Sequence, residues 1–310
     1  MSRKIVVAGL YGMSLLLHMK NFPAPGETVN GEMTALEAGG KGFNQAVSAA
    51  RNGADVTFLT AVGEDAFGEK LAQECRSYGL SCMGSAVLAG EKTAAAAVMS
   101  DAQGESRVVV SAGACAAVKP EDFDFSRFPQ SGILLLQNEL PCGVNIEAAK
   151  AMKKRGGTVL LNPAPARKLE EELLRHIDFL IPNWGEALAL AGLDGDAAPA
   201  EAAERLHELG APNIIITLGG KGLYLSFQRQ TPAFIEAAQV KAVDTSGAGD
   251  TFCGAFAARL AKGDSRRSAA RFANFASGLS VTRRGIMQAI PFEGEIQAFM
   301  LAQTFGDVRG

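Results

Sequence analysis

Two aspartates bracket a run of small residues in the segment 243–256, VDTSGAGDTFCGAF. The residues up to Val243 suit a strand, and from Gly249 onward Phe252, Ala255, Phe256 and Leu260 suit one face of a helix. Gly247, Ala248 and Gly249 then form the turn at the helix N-terminus, where unpaired backbone N–H groups and the helix dipole make an anion site. Only small side chains let a phosphate reach such amides. Asp250 falls in the first turn, beside the place where the anion would collect. Its alternative reading is an acid that merely offsets the helix dipole.

The elements that must carry this segment follow from the rest of the chain. At 310 residues it is long enough to bury a substantial core, and 47% hydrophobic with 20% charged residues is a globular composition. A net charge of -3 offers no basic field to a polyanion, so nucleic acid is excluded as a partner. The five cysteines form no C-x-x-C pair, which argues against a disulfide framework or zinc knuckle and for a reducing cytoplasm. The basic and apolar start, RKIVVAGLYGMSLLL, has the look of a secretory leader, but Gly9 and Gly12 interrupt it and a turn-like NFPAPGET follows. A buried first strand is the expectation. No apolar run reaches the ~18 residues of a membrane span.

Apolar runs of strand length (KIVVAG, DVTFLTAV, GILLLQ, TVLLN, DFLIP, NIIITL) alternate with helical patterns such as 144–155 and 199–210. This predicts a three-layer α/β domain over residues 1–310 with a mostly parallel central sheet, whose ligands bind beyond the carboxyl ends of the strands. Residues near 12–38 and 91–112 break the alternation and read as a small β-sheet lid built from two insertions, or as ordinary edge hairpins. The tetrapeptide GGKG occurs at 39–42 and 219–222, but neither copy is a Walker loop, and no GxGxxG opens the first helix. A nicotinamide oxidoreductase loses its main support.

DTSGAGDTFCGAF closely resembles the D-T-x-G-A-G-D-x-F-x-G-A/G signature of the PfkB carbohydrate kinases, in particular their ribokinase-like members. The resemblance continues through FPAPGETVNG with AGGKGFNQAVSAARNGADV, NPAPAR, IPNWGEALALAG, ITLGGKG and SVTRRG. It implies an ATP-dependent, ribokinase-like sugar kinase whose base is Asp250, with the amides of Gly247, Ala248 and Gly249 holding the transferring phosphate. By the same resemblance Gly39, Gly40, Lys41 and Asn44 line the sugar site, Lys41 being alternatively a solvated lysine beside a tight backbone. Glu139 in QNELP matches a pocket segment, with an exposed loop acid as its rival reading. Asn183 and Glu186 match an N-x-x-E motif tied to magnesium and phosphate, although the same pair makes a helix capping box and Trp184 replaces the usual acid between them. Thr217, Gly219 and Gly222 fall on the nucleotide side, and Asn274 falls at the adenine or is simply a polar helix residue. Asp244, Arg283 and Gly285 match a potassium-type site, Asp244 being equally able to tie its own loop to an amide.

One departure bears on the acceptor. Where ribokinase-like members carry N-x-D after the first strand, with the aspartate gripping sugar hydroxyls, this chain has Gly12 and Ser14. Charge-assisted hydrogen bonds contribute about 1.5–3 kcal/mol each, so a ribose-like ligand would lose roughly ten- to a hundredfold in affinity. The expected acceptor is therefore a primary hydroxyl of a furanose sugar or a related, nucleoside-like compound. A non-catalytic sugar- or nucleotide-binding protein of the same fold is the alternative. No membrane partner is expected, and the lid edges suit a homodimer.

Overall fold

The computed structural model describes residues 2–103 and 105–306. In chain order the strands are β1 Ile5–Ala8, β2 Gly12–Met19, β3 Gly31–Gly39, β4 Val56–Leu59, β5 Ala61–Gly63, β6 Ala86–Leu88 and β7 Ala94–Ser100. They continue with β8 Ser106–Ser111, β9 Ile133–Gln137, β10 Thr158–Asn162, β11 Phe179–Leu180, β12 Asn213–Thr217, β13 Leu223–Phe227 and β14 Ala233–Ile235. The helices are α1 Lys41–Arg51, α2 Ala66–Ser77, α3 Ala114–Ala117, α4 Cys142–Lys154, α5 Glu171–Leu174, α6 Trp184–Ala191, α7 Pro199–Glu208, α8 Ala248–Ala261, α9 Arg266–Ser280 and α10 Glu293–Gly306.

The main sheet runs β14-β13-β12-β11-β10-β9-β1-β4. It is parallel from β12 to β4, and β13 and β14 are antiparallel at one edge. Strands such as β9, ILLLQ, are buried along their whole length, as expected where helices cover both faces. One apolar core lies between the sheet and α1, α8 and α9, and a second between the opposite face and α4, α6 and α7. Because these strands are parallel, their carboxyl ends share one edge. Asn162 and Thr217 end β10 and β12 there, and Leu10, Glu139 and Asn183 follow β1, β9 and β11 by a few residues.

The lid is a separate sheet in the order β3-β2-β7-β8, drawn from both expected insertions. Its β2 leaves the main sheet just after β1, and β3 ends at Gly39 directly before α1, so the lid rises from the edge that carries those loops.

The strand expected to end at Val243 does not form. β14 closes the sheet at Ile235, and with no neighbour to pair with, the following segment crosses instead to the end of α9. There the Val243 and Asp244 amides both donate to the Val281 carbonyl, at 2.7 and 3.2 Å.

Candidate active site

Helix α8 packs on α1 through the glycine of its own signature. A Cβ on Gly254 would stand 2.3 Å from the Gln45 carbonyl and 2.5 Å from the Ser48 side chain, so only glycine permits this crossing. The Ser48 hydroxyl donates to the Thr251 carbonyl at 2.8 Å across it. The crossing puts Asp250, in the first turn of α8, against the first turns of α1. Asn44 Nδ2 donates to Asp250 Oδ2 and Gln45 Nε2 to Asp250 Oδ1, each at 2.9 Å.

Asp250 is 7% exposed, and burial pushes its carboxyl above the ordinary range, against the pull of the Lys41 ammonium and the two amides. Lys41 is raised in return, chiefly by Asp250. The two side chains line one cleft of about 210 Å³ together with Gly247, Ala248 and Gly249. Gly247 has φ 71, a left-handed conformation that favours glycine, and nothing stands within 4 Å of where a Cβ on Gly249 would be. The Ala248 amide closes a turn on the Thr245 carbonyl at 3.3 Å, whereas the amides of Gly247, Gly249 and Asp250 donate to nothing among the described residues. The N-terminus of α8 thus presents open donors into the cleft beside a buried carboxylate.

Asn183, Glu186 and Thr217 complete the opposite wall. The capping box is formed: Asn183 Oδ1 accepts from the Glu186 amide at 2.8 Å, and Glu186 Oε2 accepts from the Asn183 amide at 2.9 Å. Glu186 Oε1 accepts no hydrogen bond among the described residues, and burial raises this carboxyl. Among the described residues no group of three His, Cys, Asp or Glu side chains gathers to hold a metal. A magnesium ion that keeps its waters and takes phosphate oxygens would need no such group, and the free Oε1 of Glu186 is the oxygen this chain would offer it.

Glu139 is no exposed loop acid. It accepts from the Lys41 amide at 2.9 Å and so caps α1, whose own N-cap residue, Gly40, has no side chain to do it. Burial, with the Asp250 charge, pushes the Glu139 carboxyl up to about 7, while Lys41 pulls it down. Gly40 has φ 106, and a Cβ there would stand 2.3 Å from the Leu10 carbonyl. Ser14 is half-buried with its hydroxyl 3.1 Å from where a Cβ on Gly39 would stand, so it faces the glycine pair. At Gly12 a Cβ would lie 2.4 Å from the Ala94 carbonyl, which leaves no room for asparagine. Glu37 stands opposite Ser14 across β2 and β3, half-buried, with its carboxyl raised by burial.

The remaining expected residues lie outside the cleft walls. Gly219 and Gly222 flank the short turn after β12, and a Cβ on Gly222 would stand 2.0 Å from the Ile235 carbonyl. Asn274 is buried on α9 and donates to the Glu236 carbonyl at 2.7 Å. Asp244 accepts from the Ser246 amide at 2.9 Å and the Gly285 amide at 3.0 Å, tying its loop. Burial opposes ionisation there, but these amides outweigh it and hold the carboxyl below its ordinary range. Arg283 is engaged elsewhere, with Glu295 at 2.7 Å. Sequence reasoning missed Asn162, Thr245 and Cys253, which line the cleft, and Gln45, which directly holds Asp250. Gln45 sits beside Asn44 in GGKGFNQA, and helical spacing from Lys41 was the available signal.

Fold and site together define a ribokinase-like α/β protein in which a helix N-terminus opens on a cleft. Residues 2–293 match the model of the pfkB family carbohydrate kinases, and the chain belongs to that family. It is 35% identical over 305 residues to the ribokinase of Haemophilus influenzae, covering 97% of this chain and 99% of that one. Ribokinase from Thermotoga maritima superposes with a TM-score of 0.88 at 34% identity, covering 96% of this chain and 99% of that one. Ribokinase from Arabidopsis thaliana, complexed with ribose and ATP, superposes with a TM-score of 0.86 at 29% identity over 97% of this chain and 99% of its own. The relatives are sugar kinases, and this chain is an enzyme of that class.

Lys41 is the cation that lowers the Asp250 carboxyl. Replacing it by methionine (Lys41→Met) is expected to raise the Asp250 pKa further, so that the acid limb of kcat/KM moves to higher pH. An unmoved or downward-shifted limb in a pH–rate profile would show that the pair is not coupled.

Proposed function

We propose that the protein transfers the γ-phosphate of ATP to a primary hydroxyl of a furanose sugar or a related compound, with Asp250 as general base. The carrying observation is the juxtaposition of an oriented, buried carboxylate with the open amides of Gly247 and Gly249 in one cleft. As the acceptor oxygen attacks phosphorus, Asp250 takes its proton, and the amides hold the negative charge on the phosphoryl oxygens. Phosphoryl transfer requires alignment and charge stabilisation above all, and the α1–α8 crossing sets this helix end beside Asn44 and Gln45. Lys41 adds a positive charge within electrostatic reach of Asp250, Glu139 and Glu186. Magnesium, held through Glu186 and capped Asn183, would neutralise phosphate charge. A potassium-type ion beside Asp244 fits only partly, because both oxygens of that carboxylate already accept amides and Arg283 points its charge to Glu295.

Asn44 and the Gly39–Gly40 backbone form the acceptor end, with Ser14 above Gly39. Thr217, at the end of β12, and the glycine turn after it form the nucleotide side; Asn274, bonded to Glu236, reaches an adenine only if it leaves that carbonyl. Five free cysteines suit a reducing cytoplasm, and no helix among the described residues is long and apolar enough to cross a membrane.

Incubation with ATP and magnesium across a panel of sugars and nucleosides is expected to reveal a phosphorylated acceptor. Asp250→Asn is expected to lower kcat by about 10²–10⁴-fold with little change in the KM for ATP; normal turnover by this variant would remove Asp250 as the base.

Ser14→Asp restores a carboxylate facing Gly39 and should lower the KM for ribose by roughly tenfold or more. A KM equal to or above that of the parent would mean that the acceptor does not meet β2.

The lid leaves Val108, Val109 and Val110 on its β8 edge, and Met33 on its opposite β3 edge, more than half exposed, apolar surface that pairing of two lids would cover. We assign the homodimer to this surface. Sedimentation equilibrium should give twice the chain mass, and Val109→Glu should halve it; a monomeric parent protein would rule the dimer out.

A further inference from the structure

Behind Asp250 lies a run of side-chain amides that the catalytic reading does not use. Gln45 and Gln137 are fully buried and Asn162 is 7% exposed. Gln45 Nε2 donates to Asp250 Oδ1 at 2.9 Å and to Asn162 Oδ1 at 3.1 Å, spending both of its hydrogens. Its oxygen, Oε1, accepts from Gln137 Nε2 at 2.7 Å. Asn162 cannot turn around, because its Nδ2 donates to the main-chain carbonyl of Ile181 at 2.8 Å.

Each amide has a donor end and an acceptor end, so orientation passes along the run. The Ile181 carbonyl can only accept; it fixes the nitrogen of Asn162 and therefore aims Asn162 Oδ1 at Gln45. From the other side Gln137 presents a donor, which fixes the oxygen of Gln45. A flipped Gln45 would set its oxygen against the Asp250 carboxylate and the Asn162 oxygen, and its nitrogen against the Gln137 nitrogen. The contacts to Asp250 and Asn162 would become repulsive, and the contact to Gln137 would too unless that amide turned as well.

The geometry points to a directional amide relay, anchored at Ile181 through Asn162, supported by Gln137 and acting through Gln45, that holds Asp250 ionised and correctly turned toward the acceptor. Gln137 and Asn162 are positioning residues, since they act on Asp250 only through Gln45. Gln137 leaves its own Oε1 buried and without a partner, 2.1 Å from where a Cβ on Gly9 would stand. An orphaned acceptor is costly in a protein interior, and leucine or methionine would fill the volume without it. The relay gives glutamine at 137, and the glycine at 9 that makes room for it, a role. The titratable groups facing Asp250 are Lys41, Glu139, Glu186 and Cys253; none of them touches Gln137 or Asn162 among the described hydrogen bonds.

This inference deepens the reading of Asp250 as the base, and its test has an arm that needs no turnover. Gln137→Met and Asn162→Ser each release Gln45. Both should raise the Asp250 pKa, moving the acid limb of kcat/KM up by roughly half to one pH unit, with the ATP KM held in Gln137→Met, which lies outside the cleft wall. The same shift should appear in the Asp250 carboxyl titration of the free protein, followed by ¹³C NMR. Asn145→Ala is the matched control: Asn145 is equally buried and donates to the Gln137 main-chain carbonyl at 2.7 Å, so its loss should lower the melting temperature without moving the limb. If the two relay variants lower only the melting temperature, as the control does, the relay is refuted while the base survives. If the titration shifts but the unmutated protein phosphorylates no acceptor, the relay stands and the kinase reading falls.

Discussion

The close crossing of α1 and α8 at Gly254 is the constraint on which the site depends. Without that backbone approach, Asn44 and Gln45 could not reach Asp250, and a carboxylate on the first turn of α8 would be an ordinary exposed acid offsetting a dipole. With it, the carboxylate is removed from water and still paired at both oxygens. Burial disfavours the charged form of such a group, and Lys41 and the two amides oppose that, as the proposed role of Asp250 as base requires.

The same crossing sets where the open end of α8 lies. α8 begins where the loop from β14, pinned at the end of α9, and the turn at Thr245 deliver it, with Gly247 in a left-handed conformation that leaves neighbouring amides open. α1 begins where β3 leaves the lid, capped from outside by Glu139 because a side chain on Gly40 would strike Leu10. Two helix N-termini thus converge on one cleft at the carboxyl edge of a parallel sheet. Both depend on glycines whose added Cβ would meet main-chain or core atoms, so the tolerances of the site are set by the backbone more than by its polar side chains.

What was legible in the sequence was what is local in it. DTSGAGD places the carboxylate and the amides within one turn, the alternation of strand runs with helical spacing pointed to the layers, and its two breaks left a lid and ordinary edge hairpins as alternatives. Asn183 and Glu186 were readable as a capping box because both partners lie within four residues. Glu139 was not readable as the cap of α1, nor Gln137 and Asn162 as supports of Gln45, since these pairings join β9, β10 and α1 across long stretches of chain. Val243 misled for a related reason: its apolar neighbours suit a strand, but a strand needs a partner, and the sheet has already ended. The loss of N-x-D was visible, whereas its cause at position 12, the Ala94 carbonyl pressed against Gly12, was not.

The most direct test is a crystal structure with a non-hydrolysable ATP analogue and the acceptor found by screening. The account predicts the terminal phosphate within about 3 Å of the Gly247 and Gly249 amides, and the acceptor's primary hydroxyl within hydrogen-bond distance of Asp250. A phosphate bound away from the start of α8, or an acceptor whose reacting oxygen faces a side chain other than Asp250, would contradict it.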